Sequence, residues 1–268
     1  MNDYVHGYSD RESERLHDQA DTLAELLHHD SVFPVKSKVL EAGCGVGAQT
    51  RIIAAKNPSC HFISIDISEP SLLQAQKLIQ SLQIKNVEFQ TGDIFNLNFD
   101  SEYFDHIFVC FVLEHLADPL RALDCLKRVL KTGGSMTVIE GDHGSAYFYP
   151  YSAAAQKAIN CLVDLQAGRG GNSLIGRTLF PLLRQAGFIN CTVSPRMVYA
   201  DHNRMDLVEG FTKNTFTAMI EGVEQNALQN ALISKQEWLQ GIADLYRTAE
   251  EGGVFCYTFF KGKGIKCT

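Results

Sequence analysis

The sequence is short of several features at once. It has no CxxC pair among its eight cysteines, no long basic run, and no apolar stretch approaching the length of a membrane span. Each absence removes a class of function. The cysteines at 44, 60, 110, 125, 161, 191, 256 and 267 are scattered singly, and several lie in apolar runs such as FVCFV and VFCYTFF. Buried, reduced thiols are the expectation, and with them a cytoplasmic setting. With 24 basic against 31 acidic residues, the formal charge is −7. The chain therefore lacks the electrostatic footprint on which nucleic-acid binding depends, and no nucleic-acid partner is expected. The opening MNDYVHGYSDRESERL has no apolar core of a secretion signal. The longest apolar runs, such as IFVCFVL at 107–113, are far too short to cross a bilayer. No metal-ligand spacing or Ser/His/Asp arrangement stands out, so no metal is expected. Internal repeats and low-complexity linkers are missing as well.

What the chain has is a rhythm. Leu16, Ala20, Leu23 and Leu27 recur at helical spacing, marking residues 10–29 as an amphipathic helix within an N-terminal segment, 1–35. Strands then alternate with helices. Strands are expected at 38–43, 61–68, 87–93, 104–112 and 135–141. Helices are expected at 48–57, 69–82 and 119–130, the second capped by Ser68 with Pro70 in its first turn. Such alternation with short connections builds βαβ units around a parallel sheet, a doubly wound α/β core.

The second half departs from this pattern. Helices are expected at 152–166 and 173–188, a strand at 189–200 and a last strand at 254–262. A core of 36–200 and 253–268 is thus interrupted by a helical insertion at 201–252, whose later part opens with a capping box, Ser234 and Glu237. A second excursion is expected over 142–172. The helices of 201–252 serve either as a cap over the active site or as the face of a homodimer.

The stretch VLEAGCGVGAQT at 39–50 identifies the ligand class. Gly43, Gly45 and Ala48 satisfy a dinucleotide fingerprint. However, a dinucleotide sets its pyrophosphate against the helix N-terminus, and Glu41 at the lip of that turn opposes the phosphates. A cationic ligand without phosphate fits better, and S-adenosylmethionine is one. Asp66 ends the second strand 19 residues after Gly47, where a carboxylate can accept from ribose hydroxyls. Asp93 closes the third strand, placed for the adenine amino group, with Ile67 and Ile94 as walls for the ring. These residues close successive strands at one sheet edge, where open α/β sheets bind ligands. Taken singly, Asp66 and Asp93 also suit turn or helix caps.

On VLEAGCGVG, ISIDIS, GDIFNLNFDSEYFDHIFVCFVLEHLADPLRALDCLKRVLKTGG and LLRQAGF, the chain resembles the class I S-adenosylmethionine-dependent methyltransferases, in particular the group containing ubiquinone- and menaquinone-biosynthesis C-methyltransferases. The resemblance covers roughly 36–141, 178–200 and the last strand. It implies a Rossmann-like sheet of seven strands, the last antiparallel and inserted beside the fifth. It also implies cofactor contacts for Glu41, Gly43, Gly45, Asp66, Asp93 and Phe111. In relatives of this arrangement a helix ahead of the first strand folds over the cofactor with an aromatic near its methionine end, which here singles out Tyr8 or Tyr4. The nucleic-acid amino-methylating branch carries an Asn- or Asp-Pro-Pro-aromatic tetrapeptide after the fourth strand; this chain has CFVLEHL.

Methyl transfer from a sulfonium is an in-line displacement that gains mainly from positioning. A protic acceptor also needs a base within reach. Glu114 and His115 follow the fourth strand, and Glu140, Asp142 and His143 follow the fifth. His143 is the catalytic candidate, in what reads as a polar loop where its Asp142 neighbour can hold a tautomer; His115 reads as structural. Tyr147, Phe148 and Tyr149 are candidate pocket walls. The function expected is methyl transfer to a small-molecule acceptor at O, N or C, with a non-catalytic S-adenosylmethionine-binding module or methyltransferase subunit as the alternative.

Overall fold

In the computed structural model, which describes residues 10–267, seven strands form one mixed sheet. They are β1 (Lys38–Ala42), β2 (His61–Asp66), β3 (Val87–Thr91), β4 (Phe104–Cys110), β5 (Leu130–Tyr149), β6 (Phe188–Ala200) and β7 (Val254–Lys266). The spatial order is β3-β2-β1-β4-β5-β7-β6. Strands β1 to β5 run parallel, while β7 lies antiparallel between β5 and β6. The doubly wound sheet is as the alternation of elements implied, and its inserted antiparallel strand is as the family resemblance implied.

Two apolar layers cover the sheet, as its near-continuous buried strands require. On one face Leu23, Leu27, Phe108, Ile139 and Phe259 join residues of α1 (Asp10–His28), α2 (Thr50–Lys56) and α5 (Ala153–Gly168). On the other, Leu40, Val109, Leu126 and Leu183 collect α4 (Pro119–Val129) and α6 (Leu179–Gln185). The helix α3 (Glu69–Ser81) starts as expected, with Ser68 accepting from the Ser71 amide and proline in the first turn.

One expectation fails. The segment from Asp142 onward is strand, not a loop: β5 runs twenty residues, and Tyr147, Phe148 and Tyr149 pair with Cys256, Phe255 and Val254. The extended β7 supplies the ladder partner, and a bulge between Asp142 and Tyr147 absorbs the irregularity around Gly144. The excursion therefore begins only after Tyr149. Tyr147 and Tyr149 are exposed, and Phe148 stacks on Phe255 with ring centroids 6.2 Å apart.

Between β6 and β7 lie α7 (Met205–Leu207), a π-helical stretch (Val208–Thr217), α8 (Ala218–Glu221), α9 (Glu224–Gln229) and α10 (Lys235–Arg247). Within the π stretch the Thr215 hydroxyl donates back to the Gly210 carbonyl at 2.7 Å, five residues away. Leu207, Phe211, Met219 and Val223 are all buried. The capping box of Ser234 and Glu237 forms as read. A side chain at Gly210 would collide with Thr22 of α1, so this glycine lets the insertion press against α1. The end of α1 is tied to the sheet by buried Lys261, whose Nζ donates to Leu27 O at 3.0 Å, Ser31 Oγ at 2.7 Å and Asp30 at 2.6 Å.

Candidate active site

Parallel strands β1 to β5 end at one edge, and the connections leaving that edge carry the candidate residues. The first is the turn after β1. Gly43 has φ +80°, and a Cβ there would stand 2.5 Å from Val112 Cγ2, so both conformation and space demand glycine. Gly45 has φ +51°, yet no heavy atom of the described residues lies within 4 Å of where its Cβ would be. The backbone at Gly45 is therefore open to close approach by a ligand.

Asp66 closes this turn. Its Oδ2 accepts from Gly45 N at 2.7 Å and its Oδ1 from Ser68 N at 2.9 Å. The carboxylate is thus both a local cap and a brace for the glycine turn. A carboxylate offers about four lone-pair sites, so room for two further donors remains. Beside it Ile67 is 62% exposed, while Ile94 is buried. Asp93 Oδ1 accepts from Phe95 N at 2.8 Å, shaping the turn after β3.

Glu41 does not stand at the lip of the turn. It is 2% exposed, and one carboxylate oxygen accepts from Thr50 Oγ1 at 2.7 Å and Ser64 Oγ at 2.6 Å. Strand β1 is covered on both faces, so a side chain at 41 has only an interior to enter. Burial raises its pKa to about 7, although the Ser64 and Thr50 hydrogen bonds pull the other way. Glu41 therefore links β1, β2 and the start of α2 from beneath the turn.

After β4, Phe111 holds φ +58°, a left-handed conformation that a bulky residue adopts only when its surroundings impose it. Phe111 N donates to Ile139 O at 2.9 Å, and its ring meets Phe259 at 5.4 Å. The next two amides, Val112 N and Leu113 N, donate to Glu140 Oε1 at 3.1 and 2.8 Å. Glu140 is fully buried; its other oxygen has no partner among the described residues, and burial with Glu114 nearby pushes its pKa well up. This carboxyl clamps the turn that presses Val112 against Gly43.

His143 lies at the same edge but in strand, buried, with Nδ1 2.7 Å from the Tyr257 hydroxyl. The expected Asp142 partner is elsewhere: it forms a bidentate pair with Arg177, at 2.5 and 2.7 Å. Adjacent strand residues point to opposite faces, so Asp142 cannot meet its neighbour's ring. Burial lowers the His143 pKa, opposed by the charges of Glu114 and Asp142. His115 Nε2 is 3.6 Å from Glu114 Oε1, and Gln166 Nε2 donates to Glu114 O at 2.9 Å. A cavity of about 360 Å³ opens between α1 and the insertion, lined by Glu12, Arg15, Asp18, Lys213, Met219 and Tyr246. Tyr8 and Tyr4 lie outside the described residues.

The structure therefore gathers Gly43, Gly45, Asp66, Ile67, Asp93, Ile94, Phe111 and His143 along one edge, with Glu41 beneath it. Sequence reasoning missed Thr50, Ser64, Val112, Arg177 and Tyr257. Ser64 had a signal, as a lone hydroxyl inside the apolar HFISID; Tyr257, in an apolar aromatic run, had none. The space at Gly45, the remaining lone pairs of Asp66 and the bare Ile67 fit an adenosine carrying two ribose hydroxyls and no phosphate.

A model described as a methyltransferase domain matches residues 35–171. The chain is 31% identical over 241 residues to a 37.1 kDa protein of a Streptomyces fradiae transposon, covering 84% of this chain and 67% of that one. It is 30% identical over 141 residues to a demethylmenaquinone methyltransferase of Clavibacter sepedonicus, covering 52% and 56% of the two chains. After the Streptomyces protein, the chain spans only 35% to 56% of the length of the next three curated relatives. Among solved structures, a Haemonchus contortus phosphoethanolamine N-methyltransferase, with phosphomonomethylethanolamine and S-adenosylhomocysteine bound, shares the fold. Its TM-score is 0.57 at 16% identity, over 92% of this chain and 53% of that one. Turn, strand order and family model agree: the chain belongs to the class I S-adenosylmethionine-dependent methyltransferases.

Proposed function

We propose that this chain transfers the methyl group of S-adenosylmethionine to a small-molecule acceptor at O, N or C. The observation that carries the reading is the open backbone at Gly45, braced by Asp66 and flanked by exposed Ile67. Asp66 takes the ribose hydroxyls, Asp93 the adenine amino group, and Ile67 and Ile94 enclose the ring. Glu41 acts from beneath, tying β1 and β2 to the start of α2, while Phe111 borders the methionine end, to which the family resemblance also assigns Tyr8. When bound, the cofactor supplies an electrophilic methyl; the protein's part is to align an acceptor with it and exclude water.

The acceptor enters from the side of the insertion, with residues 201–252 as cap and His143 as the catalytic-side residue. A net charge of −7 and the absence of the Pro-Pro-aromatic signature after β4 favour a metabolite over a nucleobase. A cytoplasmic location and a homodimer are further parts of this reading. None of the helices in the described residues is long and apolar enough to cross a membrane. An extract-wide screen with methyl-labelled cofactor tests the proposal. Label moving to a small molecule supports it. Label moving to protein or nucleic acid overturns the acceptor class, and cofactor binding without any transfer favours the non-catalytic module.

A further inference from the structure

The His143–Tyr257 contact has two chemically distinct assignments. In one, the imidazole Nδ1–H donates to the phenol oxygen. In the other, the phenol O–H donates to an unprotonated Nδ1. Tyr257 is 2% exposed; its hydroxyl oxygen also accepts from the Asp142 backbone amide, and among the described residues the acceptor that meets its O–H is His143 Nδ1. In the first assignment the phenol hydrogen is buried without an acceptor, which is unfavourable. In the second, Nδ1 accepts the phenol hydrogen, and the ring's one N–H stands at Nε2, where no described residue bonds it. The buried phenol hydrogen therefore favours the second assignment.

We infer that Tyr257 donates to Nδ1 of His143 and so fixes the imidazole as its Nε2–H tautomer, presenting a hydrogen-bond donor to the methyl acceptor. The contact with the acceptor rests on the methyltransferase reading; the tautomer does not. Supporting the neutral pair, burial holds the His143 pKa down and the Tyr257 pKa well up. The charged groups felt by the ring are Glu114, Asp142, His115 and Arg15. The aromatic surroundings fix its position further: Phe216 meets the ring edge-on at 6.1 Å, and Tyr257 packs between Phe211, Phe216 and Phe259. Nε2 makes no hydrogen bond to any described residue and is the atom left for a ligand.

The consequence concerns specificity. An Nε2–H cannot accept a proton, so His143 selects an acceptor that offers a lone pair there, such as a carbonyl, ether or deprotonated hydroxyl oxygen. A protonated amine is disfavoured at that position. His143 thus orients the acceptor instead of deprotonating it, and Tyr257 is the positioning residue behind it.

Nitrogen-15 spectra of the histidine rings test this directly, with His143→Gln identifying the signals. At pH 7, Nδ1 of His143 should show the shift of an unprotonated ring nitrogen and Nε2 that of a protonated one. In Tyr257→Phe the two tautomers should become mixed. A protonated Nδ1 in the wild type, or an unchanged pattern in Tyr257→Phe, overturns the assignment. In the labelled-methyl assay, His143→Gln retains an N–H donor and should lose about tenfold, while His143→Phe should lose roughly a hundredfold. Equal losses in the two variants would contradict the donor role. Titration with S-adenosylhomocysteine stands apart: its failure in the wild type sinks the methyltransferase reading while leaving the tautomer result in place.

Discussion

Around β1 and β2 the polar partners are close in sequence: Glu41 meets Thr50 and Ser64, and Asp66 meets Gly45 and Ser68. Around the proposed acceptor side they are remote. His143 finds Tyr257, 114 positions on, and Ser152 finds Asp244, 92 positions on. The half proposed to hold the cofactor is a local device, one turn and the strand ends beside it, whereas the half proposed to hold the acceptor is assembled by β7 and the insertion. One half can therefore be altered with little effect on the other, and the following substitutions test that separation.

The largest effect is expected at Gly43. A methyl group there meets Val112 and forces an L-residue into φ +80°. Gly43→Ala should lose roughly 3 kcal/mol of stability, read as a denaturant midpoint, and most cofactor affinity. A comparable effect, but pH-dependent, is expected at Glu41. The folded protein keeps this proton up to about pH 7, whereas an unperturbed glutamate releases it near 4.5. Between those values the folded state binds more protons, so stability falls as pH rises through the window and levels off above it. The whole span is roughly 3 kcal/mol. Melting temperatures of Glu41→Gln should lack this slope, and the difference between variant and wild type isolates the residue.

A smaller loss is expected on the acceptor side. Ser152 caps α5 and donates to Asp244 Oδ2 at 2.5 Å. Ser152→Ala should cost about 1–2 kcal/mol and leave S-adenosylhomocysteine affinity unchanged by calorimetry. A drop in affinity there would join the two halves that the contacts separate.

Legibility followed the same division. The glycine turn, the acids closing β2 and β3, and the alternation of strands and helices could be read because their signals are local or repeat along the chain, whereas the seven-strand order came from the family resemblance. Glu41 was read as part of the site, but its inward turn was not, because a charge pattern does not show that both faces of β1 are covered. The stretch around His143 reads as a loop because glycine and polar residues cluster there. Its strand partner lies in β7, beyond any local window. Arg177, which takes Asp142 away from His143, is likewise 35 residues distant.

The central claim is that the Gly45–Asp66 turn holds a phosphate-free adenosine cofactor. Calorimetric titration of wild type and Asp66→Ala with S-adenosylhomocysteine and with NADH tests it most directly. The account predicts micromolar binding of S-adenosylhomocysteine, weakened about a hundredfold or more in Asp66→Ala, and no binding of NADH. Binding of NADH alone, or S-adenosylhomocysteine affinity indifferent to Asp66, would contradict it.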